Sequence, residues 1–89
     1  MYKLWKYADE FFQGRVLALG MTGEDVRQIQ KFLLNICRKF GNIPGVRVNG
    51  VFDELMEQSV LKLQSQFGLP MSGVINPVTW YEIVNYSKS

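Results

Sequence analysis

The sequence predicts an all-α domain, a small three-helix bundle with glycine-containing turns before helices 2 and 3 and an aromatic-rich N-terminal arm. Three observations carry that reading. An apolar stripe at helical spacing runs between Gly23 and Gly41, two later stripes each open on a capping Asp or Asn, and Gly, Asn and Pro punctuate the connections. In the first stripe Val26, Ile29, Leu33, Ile36, Cys37 and Phe40 fall on one side of a helix over 24–40. Glu24 and Asp25 in its first turn and Arg38 and Lys39 in its last complement the helix dipole, and Gly41 ends it. The stretch 41–50 has no period and reads as a loop.

Asp53 is placed to cap the second helix, whose inner face is Met56, Ser59, Val60, Leu63 and Phe67, with Gly68 as a left-handed stop and Pro70 barring resumption. Asn76 caps the third and Pro77 fills its first position. Trp80, Ile83 and Val84 form its stripe, and the helix is expected to fray by Ser87. Leu33, Ile36, Val60, Leu63 and Val84 are expected to meet in one core across short loops. Ahead of these, Tyr2, Trp5, Tyr7, Phe11 and Phe12 are too many aromatics to leave in water, so residues 1–16 are expected to be an arm or linker that docks on the bundle or a neighbouring chain. The domain then occupies 17–86, and 87–89 a tail.

The 89 residues carry one Cys and no His, which removes disulfides, zinc sites and His-based triads; no metal or cofactor is expected. A net charge of +2 is weak for a phosphate-backbone partner. Residues 1–47 hold eight basic and four acidic residues, whereas 48–89 hold two and four, so the half that would carry a DNA-reading helix is acidic. No apolar run is long enough to span a bilayer and no export signal is visible, so neither nucleic acid nor membrane is an expected partner. Asp53, Glu54 and Glu57 share one exposed helical turn, where dipole complementation accounts for them better than glycosidase chemistry. Arg27, Lys31 and Arg38 form a stripe that reads as a solvated face, with an anionic polymer as its other use.

One device is used twice. Asn49-Gly50-Val51-Phe52-Asp53 and Ser72-Gly73-Val74-Ile75-Asn76 both read small polar, Gly, Val, large apolar, helix cap, with the glycines 23 residues apart. Glycine permits positive φ, the apolar pair seats the turn, and the cap closes free amides. Gln64 has two readings, a lock on the turn through a loop carbonyl or a ligand contact; Trp80 likewise is either core or an aromatic face for a ligand.

Leu17, Gly20, Gly23, Asp25-Val26, Ile29-Gln30 and Leu33, followed by Asn49-Gly50-Val51-Phe52, Val60, Leu63-Gln64, Phe67-Gly68-Leu69, Gly73-Val74 and Thr79-Trp80, resemble the peptidoglycan-binding domain family of bacterial cell-wall hydrolases. The chain departs from the family pattern at Asn49 and Ser72, which stand where acidic residues are common, and at Asp53, Met56 and Leu63. The resemblance implies a noncatalytic, monomeric, extracellular module that binds glycan or stem peptide and targets a linked hydrolase or amidase to the wall. On this reading Asn49, Phe52, Asp53, Gln64, Ser72 and Trp80 line a shallow groove formed by the two turns, with the side chains of Asn49 and Ser72 free to face solvent or ligand. The alternative is a protein interaction module that uses the aromatic arm.

Overall fold

The computed structural model describes residues 15–41, 43 and 45–88; the aromatic run from Tyr2 to Phe12 lies outside them. Among the described residues three helices follow one another, α1 (Glu24–Phe40), α2 (Glu54–Gln66) and α3 (Pro77–Lys88). Each begins for a local reason. Asp25 Oδ1 accepts from the Val26 amide at 2.9 Å in α1, Asp53 accepts from Met56 N at 2.9 Å in α2, and Asn76 accepts from Thr79 N at 2.9 Å in α3. These bonds satisfy amides that have no partner within the helix.

The ends are equally local. Gly41 closes α1 at φ 73°, its amide donating to the Cys37 carbonyl at 2.9 Å. After α2, Gly68 at φ 73° lets its own amide reach the Ser65 carbonyl at 3.4 Å and that of Leu69 reach the Gln64 carbonyl at 2.8 Å, a Schellman closure. Helix α3 continues through Lys88, past the expected fraying point at Ser87. The reason lies on α1: Lys39 Nζ donates to the carbonyls of Tyr86 and Ser87 at 3.1 and 3.2 Å, and Asn35 bonds the Ser87 hydroxyl at 3.2 Å. A cation on orphan C-terminal carbonyls stabilises the last turn.

All three helices set out from the same end of the molecule. Gly23, just before α1, donates to Gly50 O at 3.0 Å; Phe52 exchanges backbone bonds with Gly20 and Met21, each 2.9 Å; Leu17 and Ile75 exchange theirs at 3.1 and 2.8 Å. The segment from Leu17 to Gly23 therefore laces both glycine turns together beside the three helix starts. Arg15 fastens that segment, pairing with Asp25 at 3.0 Å and donating to the Thr22 carbonyl, and its guanidinium holds the Asp25 carboxyl below the usual carboxylate range. At the far end Phe67 and Tyr86 stack with centroids 4.1 Å apart, and Phe40 meets both edge-on at 5.7 and 6.4 Å. The chain must run back along the molecule twice, so the connections are return paths and not the short loops expected.

The core comprises Leu17, Val26, Ile29, Leu33, Ile36, Ile43, Val46, Phe52, Met56, Val60, Leu63, Ile75 and Ile83. Four of the five expected central residues belong to it. Val84 does not; it is half-buried, and the α3 residues that are buried are Thr79, Glu82 and Ile83. Ile43 and Val46, from the stretch without period, are also core. Cys37 packs half-buried against this cluster, where burial pushes its thiol pKa up and leaves it a small apolar group.

Gly50 and Gly73 adopt φ of 77° and 76°. A Cβ on Gly50 would stand 3.2 Å from the Gly23 carbonyl oxygen, whereas at Gly73 the nearest atom is Leu61 Cδ2 at 3.5 Å. The Gly23 oxygen accepts from Arg27 N at 3.2 Å and cannot easily retreat. Gly50→Ala is therefore expected to destabilise by about 2–3 kcal/mol and Gly73→Ala by about 1–2 kcal/mol, the order being readable from paired urea melts.

Candidate functional site

Each glycine turn is closed from beneath by a buried glutamine. Gln30, on α1, accepts from the amides of Asn49 and Gly50 at 2.9 and 2.8 Å, while its amide nitrogen donates to Val51 O at 2.8 Å. Gln64, on α2, accepts from Gly73 N at 3.0 Å and donates to Val74 O at 3.0 Å and Thr79 Oγ1 at 3.2 Å. Both side chains are wholly buried. A primary amide suits this position because it offers acceptor and donor within one planar group, which mimics a passing strand for the polar small residue, Gly and Val of each turn. Among the described residues no buried side-chain nitrogen or oxygen is left without a partner, so the device is fully satisfied.

The repeat in sequence is thus a repeat in mechanism. Gln64 takes the first of its two readings, the turn lock. Gln30 is its counterpart, and sequence reasoning assigned it no role beyond membership of the Ile29-Gln30 pair. The available signal was its position four residues after Val26 and three before Leu33, which puts a polar group on the apolar stripe.

The six candidate ligand residues separate into two places. Phe52 is fully buried beneath the first turn and shows no surface to a ligand. Asp53 is the α2 cap and also lies 3.5 Å from Arg47. Asn49 and Ser72 are exposed, but their side chains are not free as expected. Asn49 Oδ1 accepts from Val51 N at 3.0 Å and faces Gln30 Nε2 at 3.2 Å; Ser72 Oγ accepts from Val74 N at 3.4 Å and from Gln64 at 3.3 Å. Each polar residue folds back onto its own turn, an Asx-type closure and its serine equivalent. Asn49→Ala is consequently expected to cost about 1–2 kcal/mol, measurable as a lowered unfolding midpoint, and not to behave as a neutral surface change.

Trp80 lies elsewhere, half-buried on α3 and packed against the core. It shares a cavity of about 270 Å³ with Tyr81, Val84, Asn85 and Lys88. These positions recur at one and four residues, which gathers them on one side of the helix. Two aromatic rings, an amide and an ammonium line this cavity among the described residues; neither turn contributes. Of the six candidates, Trp80 is the one that lines this helical face; the other five lie at the two turns. Around the turns, Val48, Val51, Leu55 and Met71 are exposed at 36%, 39%, 38% and 58%. Arg27 of the basic stripe is neutralised by Glu24 at 3.0 Å, whereas Lys31 and Arg38 are exposed.

A family model described as "Putative peptidoglycan binding domain" matches residues 22–83. Among solved structures, that of the SleB N-terminal domain matches with a TM-score of 0.71 and 29% identity, covering 85% of this chain and 97% of the other. No match was found among curated proteins. The matched residues include both glutamines, both turns and Trp80, and therefore the whole of the doubled device and the upper part of the α3 face.

Proposed function

The chain belongs to the peptidoglycan-binding domain family, and from that premise we propose that it is a noncatalytic, monomeric module that binds bacterial peptidoglycan outside the cell and holds a linked hydrolase or amidase at the wall. The observation that carries the proposal is the family match over residues 22–83, which encloses both turns and both of the glutamines that lock them. The functional gain is effective concentration. A module that stays near a polymeric substrate raises the local concentration of whatever is tethered to it, and weak contacts suffice. Among the described residues every buried side-chain nitrogen and oxygen is paired, and turns held in that way present their surface with little ordering cost on binding.

Of the six candidate residues, Trp80 is the one proposed to meet ligand directly. Asn49, Asp53, Ser72 and Gln64 hold the turns that set the helix starts, and Phe52 supports them from the core. Pull-down of the purified chain with sacculi, compared with chitin and cellulose, tests the module. Retention on sacculi above both other polymers at moderate salt is expected, and equal retention on all three, or none on sacculi, refutes it.

A further inference from the structure

We propose that the α3 cavity binds a carboxylate-bearing peptide portion of the wall polymer, so that the module reads stem peptide and not the sugar chain. This rests on the wall-binding reading above and names the ligand class. The cavity, at about 270 Å³, lies at the small end of the roughly 300–1,000 Å³ typical of ligand sites, enough for a short segment and not for a run of sugars. Its chemistry is uneven. Tyr81 and Trp80 supply ring faces, Val84 an aliphatic patch, Asn85 an amide, and Lys88 the one charge of the described lining.

A neutral glycan uses only part of that set. Its rings can stack on the aromatic side chains, but the ammonium gives a hydroxyl an ordinary hydrogen bond where it would give a carboxylate a charge-assisted one. A peptide with small aliphatic side chains and a free carboxylate matches more of it: the Tyr81 ring and Val84 cover methyl groups, and Lys88 pairs the carboxylate. No acidic residue among the described lining opposes an anion. Glu82, the acidic residue of α3, is buried away from solvent. Lys88 also complements the dipole of the last helical turn, so its test must read something that a purely structural cation would leave unchanged.

The full chain, isotopically labelled, is titrated by NMR with three probes: a soluble disaccharide-peptide with free carboxylates, the same compound with those carboxylates amidated, and a peptide-free chitin oligomer. Saturable shifts centred on Tyr81, Asn85 and Lys88 are expected with the first probe, at least fivefold weaker binding with the second, and no saturation with the third. Lys88→Gln is expected to weaken the first probe to the level of the second and to remove the difference between them, which is the coupling expected of a direct pair. Tyr81→Ala should weaken both peptide probes alike. Equal binding of the chitin oligomer, an unchanged amidation effect in Lys88→Gln, or shifts confined to the two turns each overturn the proposal. So would contacts between the Trp80 or Tyr81 rings and Trp5, Phe11 or Phe12 in the unliganded chain, which would make the chain's own N-terminal residues the occupant. Sacculus retention with Lys88→Gln unaffected refutes this inference alone, whereas wild-type chain that neither binds sacculi nor shifts with any probe refutes the wall-binding reading itself.

Discussion

Gln30→Ala is expected to lower the free energy of unfolding by about 3–6 kcal/mol, enough to remove most of the stability of a domain this size. The side chain serves three backbone groups, the amides of Asn49 and Gly50 and the carbonyl of Val51, at distances of 2.8 to 2.9 Å. Each buried group that loses its partner without gaining water costs about 1–3 kcal/mol, and truncation adds a void where the amide stood. Gln30→Glu is informative beside it. A carboxylate still accepts from the two amides but turns an acceptor toward Val51 O and Asn49 Oδ1, so at neutral pH it should be at least as damaging. Gln28→Ala, two residues away but exposed and bonded only to Glu24 in the same helix, should change stability by no more than about 0.5 kcal/mol. Urea unfolding of the three variants checks the set. A Gln30→Ala midpoint close to wild type would mean that water replaces the amide and that the turn does not depend on its lock.

The helices were legible because their signals are local. Caps at Asp53 and Asn76, stops at Gly41 and Gly68, and stripes at helical spacing lie within a few residues of what they control. What was not legible depends on partners far along the chain. The bond from Gln30 to Gly50 spans 20 residues, and nothing in a helical pattern names the loop at its other end. Ile43 and Val46 are core residues in a segment without period, because the return path, not a repeat, presses them inward. On α3 the apolar pattern alone favours Val84. The buried side instead takes Thr79, bonded to Gln64, and Glu82 beside Ile83, polar groups that an apolar count passes over.

The common direction of the helices is written in the spacing between them. Antiparallel neighbours need connections of roughly 2–8 residues, whereas helices that start together need a return of about their own length. Helix α1, at 17 residues, is about 25 Å long, and the connections over 41–53 and 67–76 can each cover such a distance when extended. Because the turns sit at the end of each return, they are also where the chain must be caught and redirected, which is why a locking amide lies under both. The candidate ligand residues clustered at the turns on the strength of the repeat. Their conspicuous pattern is explained by this catching and redirecting, while the α3 face, which carries no repeat, holds the cavity.

Phe52→Ala is expected to destabilise by about 3–5 kcal/mol while leaving sacculus retention by the folded fraction unchanged. Phe52 has no exposed surface and is the largest of the fully buried side chains. Its backbone joins the first turn to the lacing segment, with its amide donating to Met21 O and its carbonyl accepting from Gly20 N, both at 2.9 Å. Truncation leaves those bonds available but removes the ring that seats them, so the loss is one of packing and of an unfilled cavity. Phe52→Leu, which refills most of the space, should recover a large part of the loss. The two variants separate a residue that supports the turn from one that touches ligand. A ligand-contact role predicts weakened retention in proportion to the lost ring for both variants even when corrected for folding, whereas a packing role predicts that retention per folded molecule stays at the wild-type level. If retention by the folded fraction falls in Phe52→Leu, the first turn opens on binding to expose its core, and the rigid turn inferred from its bonds to Gln30 is wrong.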